Sequence, residues 1–300
     1  MDALVTHVET GFVAVVSELG LKWGPTPFDL FFYRPPWLHI VEFVVFHLFC
    51  IFCHKLAPRF YHDNVTRKPL VGKPKSNFDA FLGVMYLVCW LSQLLLKAMR
   101  PNALIQLCWL FMPCHLITLL WAYIFLSKPQ ARNYHYCVYL ASLATAFHWG
   151  PTSAAAFPDF EDHQYPIEGV MFIIHHGLLV LTPIYFAARY EILKLDFKFL
   201  CHLTMVATLI NVGPYTLISY ITGLNLNYHL YPPPKLVNTP VFSTIYYRFI
   251  VIAGLIVFSI SFWTVTYLLA AIVRVTLKPF FGDISVAVKD DVQAAGKKAL

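Results

Sequence analysis

Seven apolar runs separated by short polar or proline-bearing stretches dominate this chain. They fall at about 37–57, 78–98, 102–126, 133–149, 166–187, 198–223 and 246–273. Runs near 20 residues are long enough to cross a bilayer as single helices. The expected fold is therefore all-α: a polytopic membrane protein with seven transmembrane helices. The fourth run is the shortest and is expected to continue through 154–157. Ahead of the first run, Leu4, Val8, Phe12, Val15 and Leu19 recur at helical spacing, with Thr10, Ser17 and Glu18 opposite. That spacing predicts an amphipathic helix lying on the membrane or capping the bundle. This segment has no basic start and no uninterrupted apolar core, so it does not read as a cleavable signal peptide. Pro25, Pro27, Pro35 and Pro36 then break the chain. Three regions follow: a lumenal amphipathic segment (1–36), a transmembrane domain (37–273) and a cytosolic tail (274–300).

Composition agrees with the runs. Charged residues make up 13% of the chain and hydrophobic ones 58%, where soluble domains carry about 25% charged. Alternating ten-residue segments, the mark of a membrane β-barrel, are absent. All seven cysteines (Cys50, Cys53, Cys89, Cys108, Cys114, Cys137 and Cys201) lie within or at the ends of apolar runs. Free thiols are expected there, not loop-stapling disulfides. The net charge of +6 forms no basic stripe interleaved with aromatics, so no nucleic-acid partner is expected.

Sidedness follows from the basic residues. Of the 22 lysines and arginines, Lys22, Arg34, Lys97, Arg100, Lys235 and Arg248 fall on one side and the other sixteen on the opposite side. The crowded side is cytosolic by this rule, which places the N-terminus in the lumen and the C-terminus in the cytosol. Lys297 and Lys298 are followed by Ala299 and Leu300, which resembles a dilysine retrieval signal. The expected residence is the endoplasmic-reticulum membrane.

The candidate chemistry sits in the third run, where Pro113, Cys114 and His115 stand together. Proline cannot donate to the carbonyl four residues earlier, so the helix should bend or loosen beside Cys114. Ionisable groups inside a membrane mark functional sites by default, although a buried cysteine is also an ordinary small hydrophobe. Along a straight helix Cys114 lies ~18 Å below the lumenal end of its span, and His176 ~15 Å below that of the fifth. Asn211 reaches a similar level from the cytosolic side. Glu168, His148, Asn225 and Asn227 are expected nearer the lumen. A reactive thiol needs a base or cation beside it. His115 is ill placed, because adjacent helical residues diverge by ~100°; His176 or His175 is able to serve. A cysteine with a histidine suffices for acyl transfer through a thioester, with Asn225 or Asn227 orienting the base or donating to an oxyanion.

Other chemistries lack their residues. The thirteen histidines include one adjacent pair and none of the HxxxH or HxxHH clusters of membrane di-iron enzymes. GxSxG, HExxH and phosphate-cradling glycine loops are missing as well. Neither a cofactor nor a metal site is expected. His47 and His54, seven residues apart on one face, read as a polar contact between helices.

Met112, Pro113, Cys114, His115 and Leu116 resemble the Asn-Pro-Cys-His-Leu motif of the transmembrane protein 164 family, with Met112 in place of the asparagine. Ile174, His175 and His176, followed by Thr182, Pro183, Ile184 and Tyr185, resemble that family's histidine helix, and the spacing to Pro183 selects His176 over His175. The stretch from Thr222 to Asn227, then Tyr246, Tyr247 and Arg248, is similar to its lumenal asparagine pair and the start of its last span. The likeness covers about 77–273. It implies a membrane acyltransferase moving acyl chains between phospholipids, notably onto ether lysophospholipids, with Cys114 as nucleophile and His176 as base. The family is similar in layout to the androgen-induced-gene-1 lipid hydrolases, which use a threonine and a histidine. An intramembrane lipid esterase is therefore the near alternative, with water in place of the lysolipid. A seven-helix receptor or transporter is the alternative from another class. The short 98–102 and 127–132 loops, the missing Asp-Arg-Tyr triplet and the lack of an internal repeat speak against it.

Overall fold

The computed structural model describes residues 36–57, 76–101, 103–127, 131–158, 160, 163–190, 197–222, 224–232 and 236–276, and every regular element among them is helical. The amphipathic N-terminal segment, the basic first loop and the dilysine-bearing tail lie outside the described residues. In order come α1 (Pro36–Leu56), α2 (Asn77–Ala98), α3 (Ala103–Cys108), a 3-10 turn (Trp109–Phe111) and α4 (Pro113–Leu126). Then follow α5 (Ala131–Ala146), α6 (Trp149–Ala156), α7 (Pro166–Tyr190) and α8 (Phe197–Ile210). The latter runs through a π turn (Asn211–Tyr215) into α9 (Thr216–Thr222). A 3-10 turn (Leu226–Tyr228) and α10 (Tyr247–Thr276) complete the described chain. Three helices (α1, α4 and α7) open on a proline. The missing N–H costs nothing there, because first-turn donors have no intrahelical acceptor.

The chain is a multi-pass, all-α membrane protein. Among the described residues, five helical stretches are long and apolar enough to cross a bilayer: α1, α2, α7, α8 through α9, and α10. A sixth arises if α3 and α4, bent by 66° at their junction, count as one span. The run expected as the fourth span folds as the 16-residue α5, separated from α6 by a turn at Phe147 and His148. Large apolar side chains stay on the outside of the long helices, among them Ile40, Leu48 and Phe52 of α1 and Val257, Leu268 and Val275 of α10. Hydrocarbon is the solvent that suits such faces, since each helix satisfies its own backbone.

By proximity the described residues form two compact units, those within Met1–Pro58, Trp90–Leu116 and Phe197–Ser259 making the first and those within Arg59–Cys89, Ile117–Asp196 and Ile260–Leu300 the second. In the first unit, α1 packs along α8 and against the π turn, around Phe46, Val212 and Ile252. Arg248, at the start of α10, reaches Glu42 of α1 with Nη2 and Nε, each 3.0 Å from Oε1. Both residues are buried, so the pair ties two helices together inside a low-dielectric interior.

In the second unit, Ser76 and Asp79 cap the start of α2 reciprocally: the Ser76 N–H donates to Oδ2 at 2.9 Å and the Asp79 N–H to the Ser76 Oγ at 3.1 Å. The same carboxylate accepts the hydroxyls of Tyr185 and Tyr190 at 2.7 Å each, which fastens the end of α7 to the start of α2. Trp121, Phe125 and Phe186 pack ring on ring, 5.3–5.7 Å apart. Beside them Gly83 lets α2 approach closely. A Cβ there would meet Leu126 at 2.8 Å and Phe125 at 3.0 Å, the small-residue contact common between membrane helices.

Candidate functional site

The expected loosening beside Cys114 is a full break. Trp109–Phe111 closes α3 as a 3-10 turn, and Met112 then turns extended at φ −56°, ψ 144°. The helix restarts on Pro113 in a new direction. The Met112 carbonyl accepts the N–H groups of His115 at 3.0 Å and Leu116 at 3.2 Å, so Met112 caps α4. Cys114 thereby becomes a first-turn residue, with the backbone N–H groups of Cys114 and His115 against its sulfur. The Lys97 ammonium lies 5.9 Å from the Trp109 ring centroid and within electrostatic range of the thiol. Cys114 itself is half-buried.

The ~18 Å depth expected of Cys114 assumed a straight helix, and the 66° bend between Ala103–Phe111 and Pro113–Leu126 removes that assumption.

Around this turn the first unit gathers polar side chains. Asn211 opens the π turn, its amide donating to the Ala207 carbonyl at 2.9 Å, and its Oδ1 accepts the Asn227 amide at 2.5 Å. The backbone N–H of Asn227 points at the Met112 sulfur, 3.4 Å away. Met112 thus supplies an acceptor at the position where the resemblance implies asparagine. Asn227 and Tyr228 sit at φ 49° and 59°, a left-handed conformation that a bulky residue resists. Neighbouring bonds hold the turn. The Tyr247 hydroxyl donates to the Tyr228 carbonyl at 3.0 Å, and the Asn225 side-chain oxygen accepts the Leu230 and Tyr231 N–H groups at 2.8 and 3.3 Å. Asn225 therefore shapes the loop. Residues not singled out from the sequence complete the set. The Thr216 hydroxyl and His229 Nδ1 are 2.9 Å apart. Tyr215 lies edge-on to His229 and within electrostatic range of Cys114.

The remaining candidates belong to the second unit. His175 and His176 are both buried on α7. His176 Nδ1 donates to the Phe172 carbonyl at 2.9 Å. A carbonyl only accepts, so this bond sets the proton on Nδ1 and leaves Nε2 as the basic nitrogen. His175 Nε2 instead meets the hydroxyl of fully buried Thr118. Thr118 follows Cys114 by four residues, on the same face of α4. The Glu168 carboxylate accepts the N–H groups of Gln164 and Tyr165 at 2.7 and 3.3 Å, capping α7. His148 Nδ1 and the Thr266 hydroxyl are 2.9 Å apart. None of the seven cysteines is in a disulfide, and among the described residues no group of histidine, cysteine or carboxylate side chains is arranged to hold a metal.

The sequence pattern of the TMEM164 family matches residues 31–267. Transmembrane protein 164 homolog of Dictyostelium discoideum is 25% identical over 123 residues, covering 41% of this chain and 43% of that protein. The chain thus matches less than half of that relative's length. No solved structure matches the chain.

Proposed function

We propose that this chain, which belongs to the TMEM164 family, moves fatty acyl chains between phospholipids through an acyl-thioester on Cys114. The observation that carries this reading is the placement of Cys114 in the first turn of α4, behind a proline break and within electrostatic range of Lys97. In the first half-reaction the thiol gives its proton to Nε2 of His176, and the sulfur attacks the ester carbonyl of a donor phospholipid. The ester C–O bond breaks, the departing oxygen takes the proton, and a lysophospholipid leaves. In the second, an acceptor lysophospholipid, an ether lipid by the family resemblance, gives its hydroxyl proton to the imidazole. Its oxygen attacks the thioester, the C–S bond breaks, and the sulfur regains a proton. The Asn211–Asn227 pair is the candidate donor to the oxyanion. Seven crossings, a lumenal N-terminus and residence in the endoplasmic reticulum belong to the same proposal.

The apolar outer faces of the long helices, which suit hydrocarbon, support a lipid as substrate. The test uses protein in lipid nanodiscs with a labelled phospholipid donor. Label should remain on the wild-type protein, be removed by neutral hydroxylamine and be absent from Cys114→Ala. A fully active Cys114→Ala ends the covalent mechanism. The second reading, an intramembrane lipid esterase, draws on the Thr118–His175 bond, a hydroxyl already paired with an imidazole.

A further inference from the structure

Tyr215 stands among the polar side chains of the first unit, and the reaction proposed for Cys114 gives it no role. It ends the π turn that Asn211 opens, and helical positions four apart share a face. Such turns inside α-helices occur frequently at functional sites. Two sets of contacts bring this one up to the thiol. The π turn packs against the Leu226–Tyr228 turn, where the Asn227 side chain bonds Asn211 and the Asn227 N–H points at the Met112 sulfur. Met112 caps the helix whose first turn holds Cys114. On its other side the π turn runs into α9, which packs against α3, the segment leading to Cys114. All of these residues belong to one unit, and Tyr215 lies within electrostatic range of Cys114.

The ring is held and its hydroxyl is not. Tyr215 is 3% exposed. Its ring meets His229 edge-on with centroids 6.0 Å apart, and His229 Nδ1 is fixed by the Thr216 hydroxyl at 2.9 Å. A buried tyrosine hydroxyl usually finds a partner. Tyr247 shows the ordinary case in the same unit, donating to the Tyr228 carbonyl at 3.0 Å. Among the described residues the Tyr215 hydroxyl has no hydrogen-bond partner. A ring that served packing alone would carry that uncompensated O–H at a cost in stability.

We propose that Tyr215 is a catalytic residue whose O–H donates to the carbonyl oxygen of the lipid ester while the Cys114 sulfur attacks. As the S–C bond forms, an electron pair of the carbonyl moves onto that oxygen, and the phenol stabilises the charge by a hydrogen bond. The pair returns to re-form the carbonyl as the ester C–O bond breaks, and the phenol keeps its proton throughout. An ordinary phenol, with a pKa of about 10, is a donor across physiological pH, which suits it to this role. The second N–H of the Asn227 amide is available as a further donor.

This inference rests on the acyltransferase reading, and single-turnover labelling tells the two apart. Full-length protein in lipid nanodiscs meets a phosphatidylcholine with a labelled acyl chain, and the rate of label reaching the protein is followed as donor content rises. In Tyr215→Phe the maximal rate should fall about 10²–10³-fold, the worth of one oxyanion donor. The donor content giving half that rate should stay within about threefold, because the bond forms only in the transition state. A thermal melt checks that the variant is folded. Should it fail to fold, 2,3,5-trifluorotyrosine at position 215 decides, since it keeps the shape of tyrosine with a far more acidic phenol. Its rate relative to wild type should fall as pH is raised and the phenol ionises, for a phenolate cannot donate. Label reaching folded Tyr215→Phe at the wild-type rate overturns this inference alone, as does a ratio that is constant across pH. A wild-type protein that takes no label overturns the acyltransferase reading and this inference with it.

Discussion

Replacing Thr118 by valine separates the two nucleophiles that α4 offers. Valine keeps the branched shape and removes the hydroxyl that meets His175 Nε2 in a fully buried setting. Losing one buried hydrogen bond costs about 0.5–1.5 kcal/mol, and about 1–3 kcal/mol where a desolvated group is left short of a partner. In a protein of this size each kcal/mol moves Tm by roughly 2–4 °C, so Tm should fall on the order of 2–10 °C. Chemistry should respond differently. Cys114 and the Nδ1 bond that sets the His176 tautomer are untouched, so hydroxylamine-sensitive label on Thr118→Val should stay within a few-fold of wild type. The assay pairs that labelling with a thermal melt of the same detergent-solubilised sample. A monodisperse Thr118→Val protein, melting within the stated range but carrying no label, would refute the reasoning. The hydroxyl would then be acting on the reacting bond.

Three further outcomes are expected. His176→Ala should slow thioester formation about 10²–10⁴-fold, the usual worth of a general base, while His175→Ala should lower Tm and keep labelling within about tenfold; equal losses would mean that the two histidines act together. Arg248→Met removes the cation bonded to buried Glu42 and should cost about 3–5 kcal/mol, whereas Glu42→Leu with Arg248→Met should recover most of it. No recovery in the thermal melt would show that the pair is not the interaction that matters. A glycosylation site inserted between Pro158 and Gln164 should be modified and one between Arg67 and Lys75 should not; the reverse pattern would invert the proposed topology.

Helix content and membrane character were legible in the sequence because a 20-residue apolar run has few other uses. The breaks were only half legible. Pro113 announced that a helix would loosen, but proline suits both a kink and a fresh first turn. What decides between them is Met112, set at ψ 144° with its sulfur under the N–H of Asn227, 115 residues further along the chain. No local pattern encodes such a contact. His229 and Thr216 stayed hidden for the same reason, since their pairing depends on the π turn at Asn211–Tyr215 that Gly213 and Pro214 make possible. Lys97 and Arg100 were visible only as charges for deciding sidedness; their burial depends on contacts with Trp109 and Gln106 that no charge count reveals. The break therefore does more than interrupt a helix. A straight third span would hold the thiol near the bilayer centre, roughly 15 Å from the ester bonds of either leaflet. Bent at 66°, the same residues put Cys114 in the first turn of a new helix, within electrostatic range of Lys97. Straightening the segment should therefore remove activity while leaving every polar side chain in place. Pro113→Ala together with Met112→Leu restores the missing donor and takes away the sulfur acceptor. That double variant should lose acyl label with Cys114 still present and still alkylated by a membrane-permeant maleimide. Full labelling would show that the bend is incidental to the chemistry.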